Sequence, residues 1–322
     1  MKKRSRLLAA LLAACALLTA CGGGSAPAGE EKDSGKLRVV ATNFPEYDWV
    51  REIVGDLTDE VEVTLLLGSG VDLHSYQPTA KDIVTISDCD LFVYLGGPSE
   101  SWVDGALEST AKEGRKVISL MDALGDAVKE EELTEGMGEE DGEEEEGPEY
   151  DEHIWLSLKN AQVLCDALAR ALEELDPAHG AAYAANAASY GERLAQLDET
   201  YRQTVDAAAR KTLLFGDRYP FRYLADDYGL TCYAAFPGCS AETEASFETV
   251  VFLAGKVDEL DLPCILTIEG SDGKLARTIA ANTAKGDCKI LTLNSMQSSL
   301  PEGATYLSVM EEDLAVLKEA LN

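Results

Sequence analysis

Short runs of apolar residues alternate with helix-type segments along most of the chain. The first series lies in the N-terminal half of the chain, at 37–42, 61–67, 91–96 and 116–120. The second lies in the C-terminal half, at 212–216, 230–236, 264–270 and 289–294. Apolar strands without strict alternation, separated by helices, are typical of parallel sheets covered on both faces. The pattern predicts an α/β protein with two lobes, each a mainly parallel sheet flanked by helices.

A single long helix is predicted between the two series. Residues 181–209 contain no proline and one glycine, and apolar or aromatic residues recur there at intervals of three, four or seven: Tyr183, Tyr190, Leu194, Leu197, Tyr201 and Val205. This spacing forms one helical stripe about six turns long. We expect a rigid connecting helix over 179–210 that joins an N-terminal lobe (37–178) to a C-terminal lobe (211–322), with a largely preformed cleft between them.

The N-terminus has the organisation of an export signal. Basic residues crowd the first six positions, and the apolar stretch at 7–18 is too short to span a bilayer. The following word "LTAC" resembles a bacterial lipobox, which implies a lipoprotein signal peptide over 1–20 and a lipid on Cys21. The alternative is an ordinary secretory peptide followed by a chance cysteine. Residues 21–36 then form a flexible tether, and we expect the protein to be anchored to the outer face of the cell membrane.

The chain is strongly acidic. Its 59 Asp and Glu residues against 27 Lys and Arg give a net charge of −32 over 322 residues. No basic stripe follows the N-terminus, so the charge excludes nucleic acid as a partner. Acidic residues are densest at about 129–152, where apolar periodicity is absent, and we expect a disordered surface loop there. This loop is either a solvated insertion or a weak collector of cations.

The chain has three histidines, and their positions differ. His74 follows the predicted strand at 61–67, so it lies at the carboxyl edge of the sheet, where ligands bind in open α/β folds. His153 lies where the acidic loop ends and a helix begins, with Ser157 as a predicted N-cap. Both can face one cleft. His179 stands at the start of the connecting helix, and we assign it no function.

The sequence around the first two histidines resembles a known family. The words "LHSYQPT" and "DEHIWLSLKNA" resemble the His-x-Tyr-Glu-Pro-Thr and Asp-Pro-His-Val-Trp-Leu-Asp-Pro-Lys-Asn signatures of the zinc and manganese solute-binding proteins of bacterial ABC transporters. The resemblance covers nearly the whole chain after the tether. It implies two α/β lobes joined by a rigid helix, with one transition-metal ion bound between them and delivered to a transmembrane permease. Applied to this chain, the resemblance implies that His74 and His153 are metal ligands. We also expect the protein to be a monomer.

The C-terminal lobe departs from the family pattern. Where the family has a third histidine or a glutamate, this chain reads "FGDRYPF". Asp217 is the one acidic residue in this stretch, so we predict it as the third ligand. An ungapped alignment places Gly216 there instead. For the fourth ligand the word "TIEGSD" offers Glu269, with Asp272 as the alternative. A shell of two imidazoles and two carboxylates is harder than the three-histidine set typical of zinc members of the family, so it shifts the expectation toward Mn²⁺, and the metal stays open between Zn²⁺ and Mn²⁺.

Cysteines add two further possibilities. Cys239 lies in a loop after another C-lobe strand, together with Glu242 and Glu244. A thiolate ligand would favour Zn²⁺, but Cys232 lies only seven residues away, so Cys239 ranks below Asp217 and Glu269. An exported protein can form disulfides. We predict a possible Cys264–Cys288 disulfide between neighbouring strands, with Cys232–Cys239 as a second option.

Sequence motifs of common enzyme classes do not occur. The chain has no G-x-S-x-G, no P-loop and no H-E-x-x-H, and we predict that the protein is not an enzyme. The predicted function is capture of a divalent transition-metal ion, zinc before manganese, for an ABC importer. The alternative is a lipoprotein on the same fold that does not transport, such as a metal sensor, scaffold or adhesin.

Overall fold

The computed structural model describes residues 35–68, 70–137, 150–240, 244–298 and 300–322. The predicted signal peptide, Cys21 and nearly all of the tether lie outside these ranges, as do Glu242 and the central part of the acidic loop. The described part of the first lobe contains strands β1 (Leu37–Ala41), β2 (Val61–Leu65), β3 (Leu91–Tyr94) and β4 (Lys116–Ser119) and helices α1 (Phe44–Val54), α2 (Ala80–Asp88), α3 (Trp102–Ser109), α4 (Leu120–Leu124) and α5 (Leu158–Leu175).

A long helix, α6 (Gly180–Ala207), leads into the second lobe. Its described elements are strands β5 (Thr212–Tyr219), β6 (Thr231–Pro237), β7 (Cys264–Ile268) and β8 (Lys289–Leu293) and helices α7 (Arg222–Tyr228), α8 (Phe247–Glu259), α9 (Lys274–Ala281) and α10 (Tyr306–Ala320). Each of the eight predicted strands overlaps an observed one. None of the described helices is long and apolar enough to cross a membrane.

Both sheets are parallel and have the same topology. The strand order is β2-β1-β3-β4 in the first lobe and β6-β5-β7-β8 in the second. Because every strand of a sheet runs the same way, the loops that follow the strands gather at one edge, which is the ligand-binding edge of such folds. The predicted fold class is confirmed.

Helix α6 joins the lobes along a buried stripe. It has 28 residues, which corresponds to a length of about 42 Å. All six residues of the predicted stripe are buried. Near its C-terminal end the Tyr201 hydroxyl donates to the carbonyl oxygen of Met310 at 2.5 Å. The helix therefore packs against elements of both lobes instead of crossing solvent between them.

The two lobes share one apolar core. A single cluster of buried side chains includes Trp49 and Trp155 from the first lobe and Phe215 and Tyr306 from the second. The Tyr306 hydroxyl donates to the Trp155 carbonyl at 2.6 Å, and the Trp155 indole N–H donates to the Ser295 carbonyl at 2.8 Å. Since a close-packed core resists deformation, these contacts tie the loop after β8 to the first lobe.

The predicted Cys264–Cys288 disulfide is not formed in the structure, where both residues are thiols. Cys264 pairs in register with Lys289, so Cys288 is offset by one residue. Successive strand side chains point to opposite faces of a sheet. Cys264 accordingly packs in the core shared with the first lobe, and Cys288 packs in the cluster on the other face. Cys232 and Cys239 are not joined by a disulfide either.

A buried carboxyl caps helix α1. Glu46 is 1% exposed, and its Oε1 accepts hydrogen bonds from the Asn43 backbone N–H at 2.6 Å and the Thr42 hydroxyl at 3.0 Å. Burial, followed by the nearby charge of Glu100, raises its pKa from 4.5 to about 8. The carboxyl thus stays protonated in the folded protein at pH values where it ionises in the unfolded chain.

Replacing Glu46 with glutamine should therefore flatten the pH dependence of stability. The stabilisation from a raised carboxyl pKa is complete below pH 4.5 and is lost as the pH rises through about 8. At about 1.4 kcal/mol per pH unit, Glu46→Gln should gain about 2 to 3 kcal/mol over the wild type between pH 6 and pH 8. Urea unfolding at both pH values measures this, with the exposed Glu60→Gln as control. If the free energy of unfolding of Glu46→Gln differs from that of the wild type by the same amount at both pH values, the prediction is contradicted.

Candidate metal centre

The loop after β2 carries His74 into the cleft between the lobes. A short 3₁₀ turn, Leu73–Ser75, is capped by Asp72, whose Oδ1 accepts from the His74 backbone N–H at 3.0 Å. The Asp72 Oδ2 forms an ion pair at 2.8 Å with Arg218, which extends from β5 of the other lobe. The Leu73 N–H also donates to the Gln297 carbonyl at 3.1 Å. His74 is thus held by contacts to both lobes.

His153 lies directly before a second 3₁₀ turn, Ile154–Leu156, and the side chain is fully buried. The Asp151 Oδ1 accepts from its backbone N–H at 2.8 Å and lies 2.9 Å from its ring Nδ1. Ser157 caps α5, as predicted, by accepting from the Asn160 N–H. One carboxylate therefore fixes both the main chain and the ring orientation of His153.

Carboxylates decide which nitrogen of each ring carries the proton. The Nδ1 atom of His74 lies 2.9 Å from Glu152 Oε1, and that of His153 lies 2.9 Å from Asp151 Oδ1. Because a carboxylate accepts hydrogen bonds, each contact favours the neutral tautomer with its proton on Nδ1, in which the Nε2 lone pair can bind a metal ion. This arrangement, with a carboxylate behind each imidazole, is the usual support of metal-binding histidines.

The two Nε2 atoms face each other at 3.3 Å. Two nitrogens bound to one tetrahedral zinc ion lie about 3.3 to 3.4 Å apart, given Zn–N distances of about 2.0 to 2.1 Å. Two lone pairs at this separation repel unless a cation lies between them. The geometry therefore suits a shared cation, either a metal ion or the protons that compete with it.

The contacts between the histidines and their carboxylates also shift the pKa values of Glu152 and His153. Burial alone would raise the pKa of Glu152, but the hydrogen bond of His74 and the positive charge that His74 and His153 carry when protonated outweigh burial and lower it. Burial alone would lower the pKa of His153, but the charge and hydrogen bond of Asp151, with the charge of Glu152, raise it. The buried carboxylates thus make the centre attractive to positive charge.

Cys239 reaches the same centre from the loop after β6. Across the described ranges, one group of three or more His, Cys, Asp or Glu side chains has its ligand atoms within 4.8 Å of one another: His74, His153 and Cys239. The residue before the cysteine is Gly238, where a Cβ atom would lie 2.9 Å from His153 Cε1. Glycine therefore allows the Cys239 loop to approach the buried imidazole.

The carboxylates predicted as third and fourth ligands lie in the same cleft but outside this group of three. Asp217, Glu269 and Asp272 line, together with His74, a cavity of about 1000 Å³. Asp217 Oδ1 accepts from the Arg218 N–H at 2.9 Å, and Asp272 Oδ1 accepts from the Lys274 N–H at the start of α9 at 2.8 Å. Glu269 accepts several hydrogen bonds from the loop after β8. Their role as ligands stays a prediction.

Gln297, a residue that sequence reasoning did not consider, also contacts the histidines. Its side-chain Oε1 lies 2.6 Å from His74 Nε2 and 3.4 Å from His153 Nε2. Its position after the last strand of the second sheet was the available signal, because the C-terminal end of β5 and the loops after β6 and β7 supplied every other C-lobe candidate. Cys239 had the same signal and was ranked low only because of its nearness to Cys232.

Comparison with known proteins identifies the family. Residues 39–320 match the family model described as "Zinc-uptake complex component A periplasmic". The chain belongs to this family. Its members are metal-binding solute-binding proteins and not an enzyme class, which confirms the prediction that the chain is not an enzyme.

Two curated relatives show how far the similarity extends. The zinc-binding lipoprotein AdcA of Streptococcus pneumoniae R6 is 34% identical over 329 residues, covering 99% of this chain and 61% of AdcA. The chain therefore spans about three fifths of the AdcA length. The high-affinity zinc uptake system protein ZnuA of Bacillus subtilis 168 is 33% identical over 321 residues, covering 97% of this chain and 96% of ZnuA. The family resemblance inferred from the two histidine motifs is confirmed.

The fold is shared with solved structures of these relatives. The Zn(II)-bound ZnuA-like domain of Streptococcus pneumoniae AdcA superposes with a TM-score of 0.69 at 32% identity, covering 89% of this chain and 99% of that domain. The match extends over both lobes.

Proposed function

We propose that the protein captures Zn²⁺ in the cleft between its lobes and delivers it to the permease of an ABC importer. The observation that carries the proposal is the pair of imidazoles whose Nε2 atoms face each other at 3.3 Å, with the Cys239 sulfur within 4.8 Å. Carboxylates fix both rings in the ligating orientation, so capture requires little reorganisation of the centre.

The donor chemistry favours zinc over manganese. Two imidazole nitrogens and a thiolate form a set that suits Zn²⁺, whereas Mn²⁺ is better served by carboxylates and water. Relatives of the chain are named as zinc-binding and zinc-uptake proteins. Both lines of support point to zinc as the cargo.

Anchoring and delivery complete the proposal. Cys21 carries the lipid and holds the protein on the outer face of the cell membrane, and 22–36 lets the lobes reach the permease. The lipobox-like word and the relatives named as lipoproteins support this part. The protein acts as a monomer, with the permease as its partner.

Metal content and zinc uptake test this function. The purified protein should hold one equivalent of zinc by elemental analysis and prefer zinc in competition with manganese. Cells lacking their copy of the gene should recover growth in zinc-chelated medium when wild-type protein is restored, but not with Cys21→Ala. A protein that binds no metal overturns the proposal. Stoichiometric zinc without restored growth would instead support a metal sensor, scaffold or adhesin.

A further inference from the structure

Arg218 crosses the cleft from the stretch that was expected to supply a third ligand. It lies near the end of β5, within "FGDRYPF", and its Nη2 atom lies 2.8 Å from the Asp72 Oδ2 atom of the other lobe. A guanidinium group has no lone pair to offer, so Arg218 cannot bind the ion itself. Arg218 can therefore act on the centre only through its charge or through another residue.

Asp72 connects Arg218 to His74. Its carboxylate oxygens are divided between the lobes, since Oδ1 accepts from the His74 backbone N–H at 3.0 Å and Oδ2 pairs with Arg218. The Asp72 carbonyl oxygen also accepts from the Ser75 N–H and from the Ser75 hydroxyl, each at 3.1 Å. Asp72 thus caps the turn that presents His74, and a displaced Asp72 carboxylate would release the N–H of that histidine.

The second lobe holds this turn from two directions. The loop after β8 contacts it through main-chain atoms: the Gly70 N–H donates to the Ser298 carbonyl at 3.0 Å. The Leu73 N–H likewise donates to the Gln297 carbonyl at 3.1 Å. Arg218 approaches from β5 and makes its contact with a side chain, so a substitution can remove this contact and leave the main-chain contacts in place.

The path of β5 places Arg218 at the cleft. Between Phe215 and Arg218 the register with β6 shifts, and β5 carries one residue more than β6 over this stretch. Such a bulge bends the strand and re-aims the side chains near it. The side chains of Arg218 and Asp72 are 17% and 29% exposed, so water screens their ion pair less than it screens a fully exposed pair.

We propose that Arg218 is a positioning residue for zinc capture, which holds the His74 turn against the second lobe through Asp72. The inference rests on the proposed zinc site. With the turn fastened, the His74 imidazole is in place before the ion arrives and is kept from moving away with its loop while the ion is bound. The contact should therefore raise zinc affinity mainly by slowing release.

The signs of two changes in affinity separate positioning from charge. Removing the positive charge of Arg218 near Zn²⁺ should by itself strengthen zinc binding, and removing the negative charge of Asp72 should by itself weaken it. If Arg218 positions His74, both Arg218→Gln and Asp72→Asn weaken zinc binding about three- to tenfold. Stopped-flow transfer of zinc to a chelator should show release that is faster by a similar factor. Zinc affinity of Arg218→Gln that equals or exceeds that of the wild type overturns the proposal.

A double-mutant cycle tests whether the ion pair acts through His74. Asp72→Asn keeps an oxygen for the His74 N–H but breaks the ion pair. It should weaken zinc binding in the wild type and add less than about twofold in the His74→Ala background, and the same holds for Arg218→Gln. An equal loss from Asp72→Asn in both backgrounds would show an effect of charge alone. That result would overturn the positioning role even if Arg218→Gln failed to fold.

Lys159→Gln provides the matched control. The Lys159 ammonium also joins the lobes, by an ion pair at 2.9 Å with Asp227, which lies on α7 and not on the His74 turn. Lys159→Gln should leave zinc affinity within about twofold of wild type. A loss equal to that of Arg218→Gln would show that any interlobe ion pair has this effect and would overturn the role of Arg218.

Two further measurements separate the causes of a loss. Apo melting temperatures of all variants identify any loss of zinc binding that unfolding causes. A wild-type protein that binds no zinc would contradict the proposed function, and the inference with it. Tight zinc binding by the wild type, with affinities and release rates unchanged in Arg218→Gln and Asp72→Asn, would contradict the inference alone.

Discussion

Replacing His153 with alanine is expected to abolish tight zinc binding. Structural zinc sites bind the ion with a free energy of about 10 to 16 kcal/mol, or about 2.5 to 4 kcal/mol for each of four ligands, so loss of one imidazole should weaken binding roughly 70- to 900-fold. The His153 ring is fully buried and has its Nε2 atom 3.3 Å from that of His74.

A second histidine provides the matched control. His179 lies at the start of α6, where its ring nitrogen pairs with Asp176 at 2.7 Å. His179→Ala should leave zinc affinity unchanged within about twofold. Isothermal titration calorimetry in competition with a chelator of known affinity measures the zinc affinity of both variants. Equal affinities for His153→Ala and His179→Ala would contradict the site.

Stability must be separated from binding, because alanine at 153 leaves a cavity in a packed region. His74→Ala provides that separation, since His74 lies at the edge of the cleft with 9% of its side chain exposed. We expect His74→Ala to weaken zinc binding as strongly as His153→Ala, with a smaller change in the apo melting temperature. Retained zinc affinity in His74→Ala would remove His74 from the ligand set.

Replacing Cys239 with serine is expected to cost both zinc affinity and metal selectivity. A serine hydroxyl stays protonated and is a poor donor, whereas the thiolate is a strong ligand for Zn²⁺. We expect zinc to bind roughly a hundredfold more weakly and manganese to change little, so that preference for zinc over manganese falls by a similar factor. The thiolate-to-cobalt charge-transfer band of the Co²⁺ protein should disappear.

Two variants make this result decisive. Cys288→Ser changes a half-buried thiol on the face of the C-lobe sheet that points away from the core shared with the first lobe. It should have no effect on metal binding. Asp217→Asn changes the ligand that sequence alone favoured, and we expect zinc affinity to stay within about threefold. A large loss in Asp217→Asn with an unaffected Cys239→Ser would favour the carboxylate site over the thiolate site.

The elements of the fold could be predicted because their signals are local. Each strand is a short apolar run, and the stripe on α6 from Tyr183 to Val205 is a repeat within one segment. The order of such segments restricts the fold to parallel sheets with helices on both faces. The motifs around His74 and His153 were recognisable for the same reason, since each is a continuous stretch of sequence.

The remaining contacts at the centre depend on distances between remote segments. Gln297 is 223 residues from His74 and 144 from His153, and its contact with both follows from the packing of one lobe on the other. Sequence could place Cys239, Asp217 and Glu269 in loops at one sheet edge, but it could not show which of them reaches the centre, since the paths of the loops decide that. Gly238 and the backbone path after β6 bring Cys239 to His153.

Local patterns were enough to predict the two-lobed α/β architecture, the connecting helix and the two histidines, because periodicity and short motifs are properties of neighbouring residues. Long-range packing was needed to show that a thiol and an amide lie beside those histidines, that Glu269 is engaged by its own loop, and that Cys264 and Cys288 lie on opposite faces of a sheet. These facts depend on strand register and on side-chain direction across the cleft, which arise when the lobes pack together.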